Sequence, residues 1–245
     1  MNKLEQHLKS AGIINYHQEY LWLKNEAPSS NKLEEWVQQR AAGMPLAYIL
    51  QSMDFLSLSL YVDPNVLIPR PETEEMVEHA ITHIRKEDQV IVDLGTGSGC
   101  IALSLKQAFP DKTVIGIDKY AEALNVAKIN QKRYPEYPVQ WIQGDWLDSI
   151  ALSDVDVIIS NPPYVESSWE HKSIQHEPAT AIFSKEDGLY DIQKIIKACQ
   201  KHQLSIWIEH GYKQTLYTLF NSDWHVEQVL DDQQHPRFIM AKRRF

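Results

Sequence analysis

Val90-Ile91-Val92 runs directly into Asp93-Leu94-Gly95-Thr96-Gly97-Ser98-Gly99, and a helical pattern opens at Cys100. An apolar strand, a glycine-rich turn and a helix in immediate succession confine this part of the chain to an α/β arrangement. The glycines let the backbone turn sharply and approach a ligand without side-chain obstruction, and the following helix offers unpaired amides. The spacing is G-x-G-x-G, which differs from the G-x-G-x-x-G of dinucleotide sites. Such a run alone is also an ordinary tight turn, and its setting between strand and helix is what points to a ligand site.

The same alternation continues downstream. Thr113 to Ile117, Val139 to Ile142, Val155 to Ile159 and Leu204 to Ile208 are short apolar strands, with helical stretches near 100–109, 120–133 and 188–201 between them. This predicts a parallel sheet covered by helices on both faces. Trp224 to Leu230 and Phe238 to Ala241 have no helix between them, so they are expected to pair antiparallel. A mostly parallel, Rossmann-like sheet ending in an antiparallel hairpin resembles the class I S-adenosylmethionine-dependent methyltransferase fold.

The first residues read differently. Leu4, Leu8 and Ala11 suggest one short helix, and Tyr16, Tyr20 and Leu23 a second. Asn31, with Glu34 three residues on, is the expected cap of a third, which Gly43 and Pro45 end. Residues 1–52 are therefore expected to form a small helical domain, 53–71 a β-hairpin linker, and 72–245 the α/β domain. The linker reading rests on the alternation of Leu56-Ser57-Leu58-Ser59-Leu60-Tyr61-Val62, paired with the extended Val66-Leu67-Ile68. A helix from Glu72 to Arg85 follows.

Ligands of open α/β sheets bind at the carboxyl ends of the strands, and this chain carries suitable groups there. Asp118 ends the second strand, where a carboxylate can accept both ribose hydroxyls of a nucleoside or cap the next helix. Gly144-Asp145-Trp146 ends the third: Asp145 is placed to accept from an adenine amino group, and Trp146 to lie against the ring or to pack in the core.

The fourth strand ends in Asn161-Pro162-Pro163-Tyr164. Methylation of an amide, or of an amino group on an aromatic ring, must overcome a delocalised nitrogen lone pair. The site has to align that nitrogen with the methyl donor and accept its hydrogens as charge develops. The Asn161 side-chain oxygen and the Pro162 carbonyl are such acceptors, paired prolines stiffen the backbone, and Tyr164 can pack on a planar group. This chemistry needs no metal or covalent nucleophile.

The formal charge of −9 argues against a protein that tracks a phosphate backbone, and Lys242-Arg243-Arg244 reads as a solvated tail more than as a binding site. Cys100 and Cys199 lack metal-ligand or disulfide spacing and read as reduced, packed thiols. The N-terminus lacks a signal-peptide core, and no stretch reaches a membrane span. A cytoplasmic protein is expected.

With these motifs in place, the chain resembles the HemK/PrmC family of release-factor glutamine N5-methyltransferases over nearly its whole length. Pro45-Leu46-Ala47-Tyr48-Ile49, Leu67-Ile68-Pro69-Arg70-Pro71-Glu72-Thr73-Glu74 and Glu177-Pro178 before Ala181 carry the likeness together with the glycine loop and Asn161–Tyr164. The resemblance implies S-adenosyl-L-methionine held by Gly95, Thr96, Gly97, Ser98, Gly99, Asp118, Asp145, Trp146 and Asn161. It implies a glutamine recognised by Asn161, Pro162, Pro163 and Tyr164. The implied substrate is the Gly-Gly-Gln motif of peptide-chain release factors, docked with help from the N-terminal helices.

Gln51 stands where family members often have glycine, and Leu56-Ser57 where an aromatic-glycine pair is expected. His210 reads as structural. Competing readings are a ribosomal-protein glutamine or adenine-N6 methyltransferase, and a binding module that keeps the fold without the reaction. An enzyme acting on duplex DNA needs base flipping and a basic surface, which the acidic balance does not favour.

Overall fold

The computed structural model describes residues 2–169 and 174–244. Four helices come first: α1 (Lys3–Ser10), α2 (Tyr16–Glu26), α3 (Ser30–Ala41) and the short α4 (Leu46–Leu50). They bury Leu8, Tyr20, Leu23, Val37 and Ile49 against one another, the apolar stripe expected from helical spacing. The cap of α3 is Ser29, whose Oγ accepts from the Lys32 amide, and not the expected Asn31. Ser29 has the extended backbone that an N-cap requires, whereas Asn31 already lies inside the first turn.

The hairpin also differs from expectation. Its strands are β1 (Met53–Phe55) and β2 (Leu58–Leu60), joined through Leu56-Ser57, and Val66–Ile68 forms no strand. Leu56 takes a left-handed φ of 51°, which turns the chain where the alternating pattern suggested a continuous strand. Its amide donates to Glu74 Oε1 at 3.0 Å, fastening the turn to helix α5 (Pro71–His83). Pro71 occupies the first turn of α5, where its missing N–H costs nothing, and the helix ends two residues before the expected Arg85.

The α/β portion alternates β3 (Val90–Leu94), α6 (Cys100–Ala108), β4 (Thr113–Asp118), α7 (Ala121–Arg133), β5 (Gln140–Gln143) and β6 (Val157–Ser160). The two-residue strands β7 (Val165–Glu166) and β8 (Phe183–Ser184) pair in parallel. A single turn α8 (Lys185–Gly188), helix α9 (Tyr190–Cys199) and strands β9 (Ser205–Glu209), β10 (Trp224–Leu230) and β11 (Pro236–Arg243) complete the chain.

The main sheet has seven strands in the order β10-β11-β9-β6-β3-β4-β5. All its pairings are parallel except those made by β11 with β9 and with β10, so the fold is the expected mostly parallel sheet with a C-terminal hairpin. Alternate residues of the central strands feed opposite cores. Ile91, Val157, Ile159 and Trp207 pack with α5 and α6, while Val92, Leu94, Ile158 and Ile206 pack with α9. Both cysteines are free and buried. No helix among the described residues is long and apolar enough to cross a membrane.

Candidate active site

Strand order reverses beside β3: the chain proceeds to β4 and β5 on one side, then returns to β6 and β9 on the other. Such a reversal opens a crevice at the carboxyl ends of the strands. A cavity of about 560 Å³ lies there, within the usual range of small-molecule sites. Gly95, Thr96, Gly97 and Ser98 line it, together with Asp118, Asp145, Trp146, Asn161 and Pro163.

The glycine loop is shaped by two carboxylates. Asp93 is fully buried on the α6 side of β3 and accepts from Thr96 Oγ1 at 2.5 Å and the Ala102 amide at 3.1 Å. Burial pushes its carboxyl up to about 7, because the charged form has lost its water. Asp118 Oδ2 accepts from the Gly97 amide at 2.9 Å and its Oδ1 from the Tyr120 amide at 3.0 Å. The helix-side role and the cavity-side position of Asp118 therefore coexist, and burial raises its carboxyl as well.

Gly95, Gly97 and Gly99 all have φ between 55° and 82°, a region glycine enters without steric cost. A Cβ on Gly95 would lie 3.6 Å from the Trp146 ring, so its absence keeps the gap between loop and ring open. Gly99 begins α6 and is turned away from the cavity wall, with Trp141 packed where its Cβ would be.

Trp146 itself has a left-handed φ of 55° and donates from Nε1 to Asp191 Oδ1 at 3.2 Å. Asp191 Oδ2 accepts from Ser184 Oγ at 2.6 Å, so one carboxylate ties the indole to β8. Asp145 pairs with Lys119 at 2.9 Å and Lys194 at 3.0 Å, and these hydrogen bonds hold its carboxyl below the usual range. An open glycine loop, a carboxylate at the end of β4 and a ring facing the loop fit an adenosine-bearing ligand.

Along Asn161–Tyr164 the chain alternates. Asn161 and Pro163 face the cavity, Pro162 is buried, and Tyr164 turns its hydroxyl to Glu209 Oε1 at 2.9 Å. Glu209, at the end of β9, is wholly buried and also accepts from Thr73 Oγ1 at 2.6 Å. Thr73 in turn accepts from Asn161 Nδ2 at 2.9 Å. Burial raises the carboxyl of Glu209, and burial together with that carboxylate raises the phenol of Tyr164 well above its ordinary value. His210 Nδ1 meets the Gly211 carbonyl and its Nε2 meets Gln228, a structural arrangement.

Sequence reading did not assign Thr73, Asp191, Lys194 or Glu209 to this site. Glu209 carried a usable signal, being an acid at the carboxyl end of a parallel strand. Asp191 and Lys194 lie on an amphipathic helix and show none.

The Methyltransferase small domain family matches residues 73–183. The release factor glutamine methyltransferase of Aliivibrio fischeri is 40% identical over 73% of this chain and 65% of its own length, so the match spans just under two thirds of that relative. The release factor glutamine methyltransferase of Buchnera aphidicola subsp. Acyrthosiphon pisum is 37% identical over 98% of this chain and 92% of its own. The chain belongs to the release factor glutamine methyltransferase family.

A T. thermophilus 16S rRNA methyltransferase solved with AdoMet and guanosine has the same fold as this family member. It is 13% identical with a TM-score of 0.59, covering 79% of this chain and 50% of that one.

Proposed function

We propose that the chain transfers a methyl group from S-adenosyl-L-methionine to N5 of the glutamine in the Gly-Gly-Gln motif of peptide-chain release factors. The observation that carries this reading is the orientation of Asn161. Its amide nitrogen is engaged by Thr73, while its Oδ1 takes no hydrogen bond from the described residues at the wall of the glycine-loop cavity. An acceptor oxygen held in place beside a donor-sized cavity is what a primary amide nitrogen requires.

The residues assigned to the cofactor are Gly95 to Ser98, Asp118, Asp145, Trp146 and Asn161, while Gly99, expected among them, backs the loop against Trp141. Bound there, S-adenosyl-L-methionine supplies a methyl group on a cationic sulfur, an activated electrophile. Asp118 offers carboxylate oxygens to the ribose diol, Trp146 offers its ring to the adenine, and the glycines give backbone room. Asn161 Oδ1 and the Pro162 carbonyl accept hydrogen bonds from the two N–H groups of the glutamine amide, which aligns the nitrogen and concentrates electron density on it; one of those protons leaves to solvent as the nitrogen takes the methyl group. Pro163 stiffens the loop. Tyr164, clamped by Glu209, holds the side of the loop against which the planar amide rests.

Residues 1–52 are assigned to docking the release factor, 53–71 to the linker, and 72–245 to catalysis. A cytoplasmic site of action follows from that substrate. Transfer of labelled methyl from S-adenosylmethionine tests the assignment: label is expected on a release factor and not on DNA or a ribosomal protein. Label on either of the latter in place of the release factor would sink it.

A further inference from the structure

Three residues remote in sequence are linked in one chain of hydrogen bonds at the cavity wall. Thr73 is on the first turn of α5, Asn161 follows β6 and Glu209 ends β9, with separations of 88 positions for Asn161–Thr73 and 136 for Thr73–Glu209. Thr73 and Glu209 are 2% and 0% exposed, so water does not compete for these hydrogen bonds.

A threonine hydroxyl has one hydrogen to donate, and here it goes to the Glu209 carboxylate at 2.6 Å. What Thr73 then presents to Asn161 is a lone pair, which matches only the NH₂ end of the carboxamide. The oxygen and nitrogen of an asparagine side chain are otherwise nearly interchangeable in shape, so the network is what chooses between them.

The second oxygen of Glu209 accepts from Tyr164 at 2.9 Å, which fixes the far end of the same four-residue loop. Arg237 Nη2 lies 4.0 Å from Glu209 and 3.5 Å from the Tyr164 hydroxyl, supplying positive charge beside the buried acid. Glu72 faces Arg237 from the start of α5 at 3.6 Å.

We propose that Thr73 and Glu209 are positioning residues for methyl transfer: Glu209 commits the Thr73 hydroxyl as a donor, and Thr73 thereby holds the Asn161 oxygen toward the acceptor amide. This rests on the reading of Asn161 given under Proposed function. It also assigns a task to the threonine of the Ile68-Pro69-Arg70-Pro71-Glu72-Thr73 segment, which is otherwise a proline-stiffened helix start.

The test is steady-state methylation of a release factor by the parent, Thr73→Val, Thr73→Ser and Glu209→Gln proteins. Affinity for S-adenosylmethionine is measured by calorimetry, and thermal unfolding serves as the folding control. Valine keeps the shape and loses the hydroxyl, so kcat is expected to fall about tenfold or more while cofactor affinity stays within about threefold. Serine restores the hydroxyl and should bring kcat back to within about threefold of the parent. Glu209→Gln, nearly equal in volume, should lower kcat about tenfold by placing a second donor in the network, and it decides the matter if Thr73→Val does not fold. Parent-level kcat in Thr73→Val or Glu209→Gln, or a Thr73→Ser as poor as valine, overturns the proposal. A parent protein that does not methylate the release factor overturns the functional reading and the proposal with it, an outcome distinct from the others.

Discussion

Arg70 and Glu177, 107 positions apart, meet with Nη2 2.5 Å from Oε1. The other oxygen of Glu177 accepts from the Ile68 amide at 3.0 Å, and the side chain is 1% exposed. One acid thus fastens the proline-rich strap before α5 to the segment running through Pro178, Thr180, Ala181 and Phe183, which forms part of the cavity wall. The pairing joins two segments that lie far apart in the sequence.

Glu177→Ala leaves the Arg70 charge and the Ile68 amide without their buried partner. Breaking such a pair typically costs ~3 kcal/mol, here reduced because Arg70 is partly exposed, and the midpoint of thermal unfolding is expected to fall by about 5–10 °C. Calorimetry checks this. The same variant is expected to raise KM for the release factor more than it lowers kcat, since the wall and not Asn161 is disturbed. An unchanged melting temperature would mean that the strap is held by other contacts.

Asp93 predicts a dependence of stability on pH. Its folded carboxyl titrates at about 7 and its unfolded one near the ordinary 3.8, so the folded state holds the extra proton between those values. Stability from this group is therefore present in full at acid pH and is lost as pH rises through that window. Asp93→Asn cannot ionise. Whatever its constant offset, its stability relative to the parent should climb from pH 4 to 7 by a few kcal/mol, at ~1.4 kcal/mol per unit, and then level off. Urea unfolding at a series of pH values measures the difference; a flat difference would show that Asp93 is ionised throughout.

Gln51 carries a left-handed backbone, φ 52° and ψ 37°, at the end of α4. Glycine takes this conformation without the contact between Cβ and carbonyl that a larger residue suffers. Gln51→Gly is expected to raise the free energy of unfolding by about 0.5–1 kcal/mol, the relief of strain exceeding the added freedom of the unfolded chain. Denaturant titration reads the sign, and a loss of stability would show that the Gln51 side chain, 3.4 Å from Tyr61, contributes more than its backbone costs.

Legibility followed the physics of each region. The β3–glycine–α6 unit and the strands of the parallel sheet are local and largely apolar, so their succession along the chain could be read directly. The hairpin could not. Leu-Ser-Leu-Ser-Leu satisfies strand alternation, and only the left-handed Leu56, stabilised by Glu74 from α5, breaks it.

Asp118, Trp146 and Asn161 could be placed at the cavity from the sequence because each ends a strand or belongs to the loop that follows one. Thr73 and Asp191 could not be placed there, since their hydrogen bonds to Asn161 and Trp146 exist only once α5 and α9 have packed on the sheet. The lysine pairs of Asp145 were equally invisible, because Lys119 and Lys194 lie far apart in the chain.

Methyl transfer at this site requires Asn161 to present its oxygen to a glutamine amide. Tandem mass spectrometry of a release factor incubated with S-adenosylmethionine and either the parent protein or Asn161→Ala tests it most directly. The parent is expected to add one methyl group, localised to the side chain of the Gly-Gly-Gln glutamine, and Asn161→Ala to lower the rate by about a hundredfold or more. A methyl group on another residue, or equal modification by Asn161→Ala, would contradict the account.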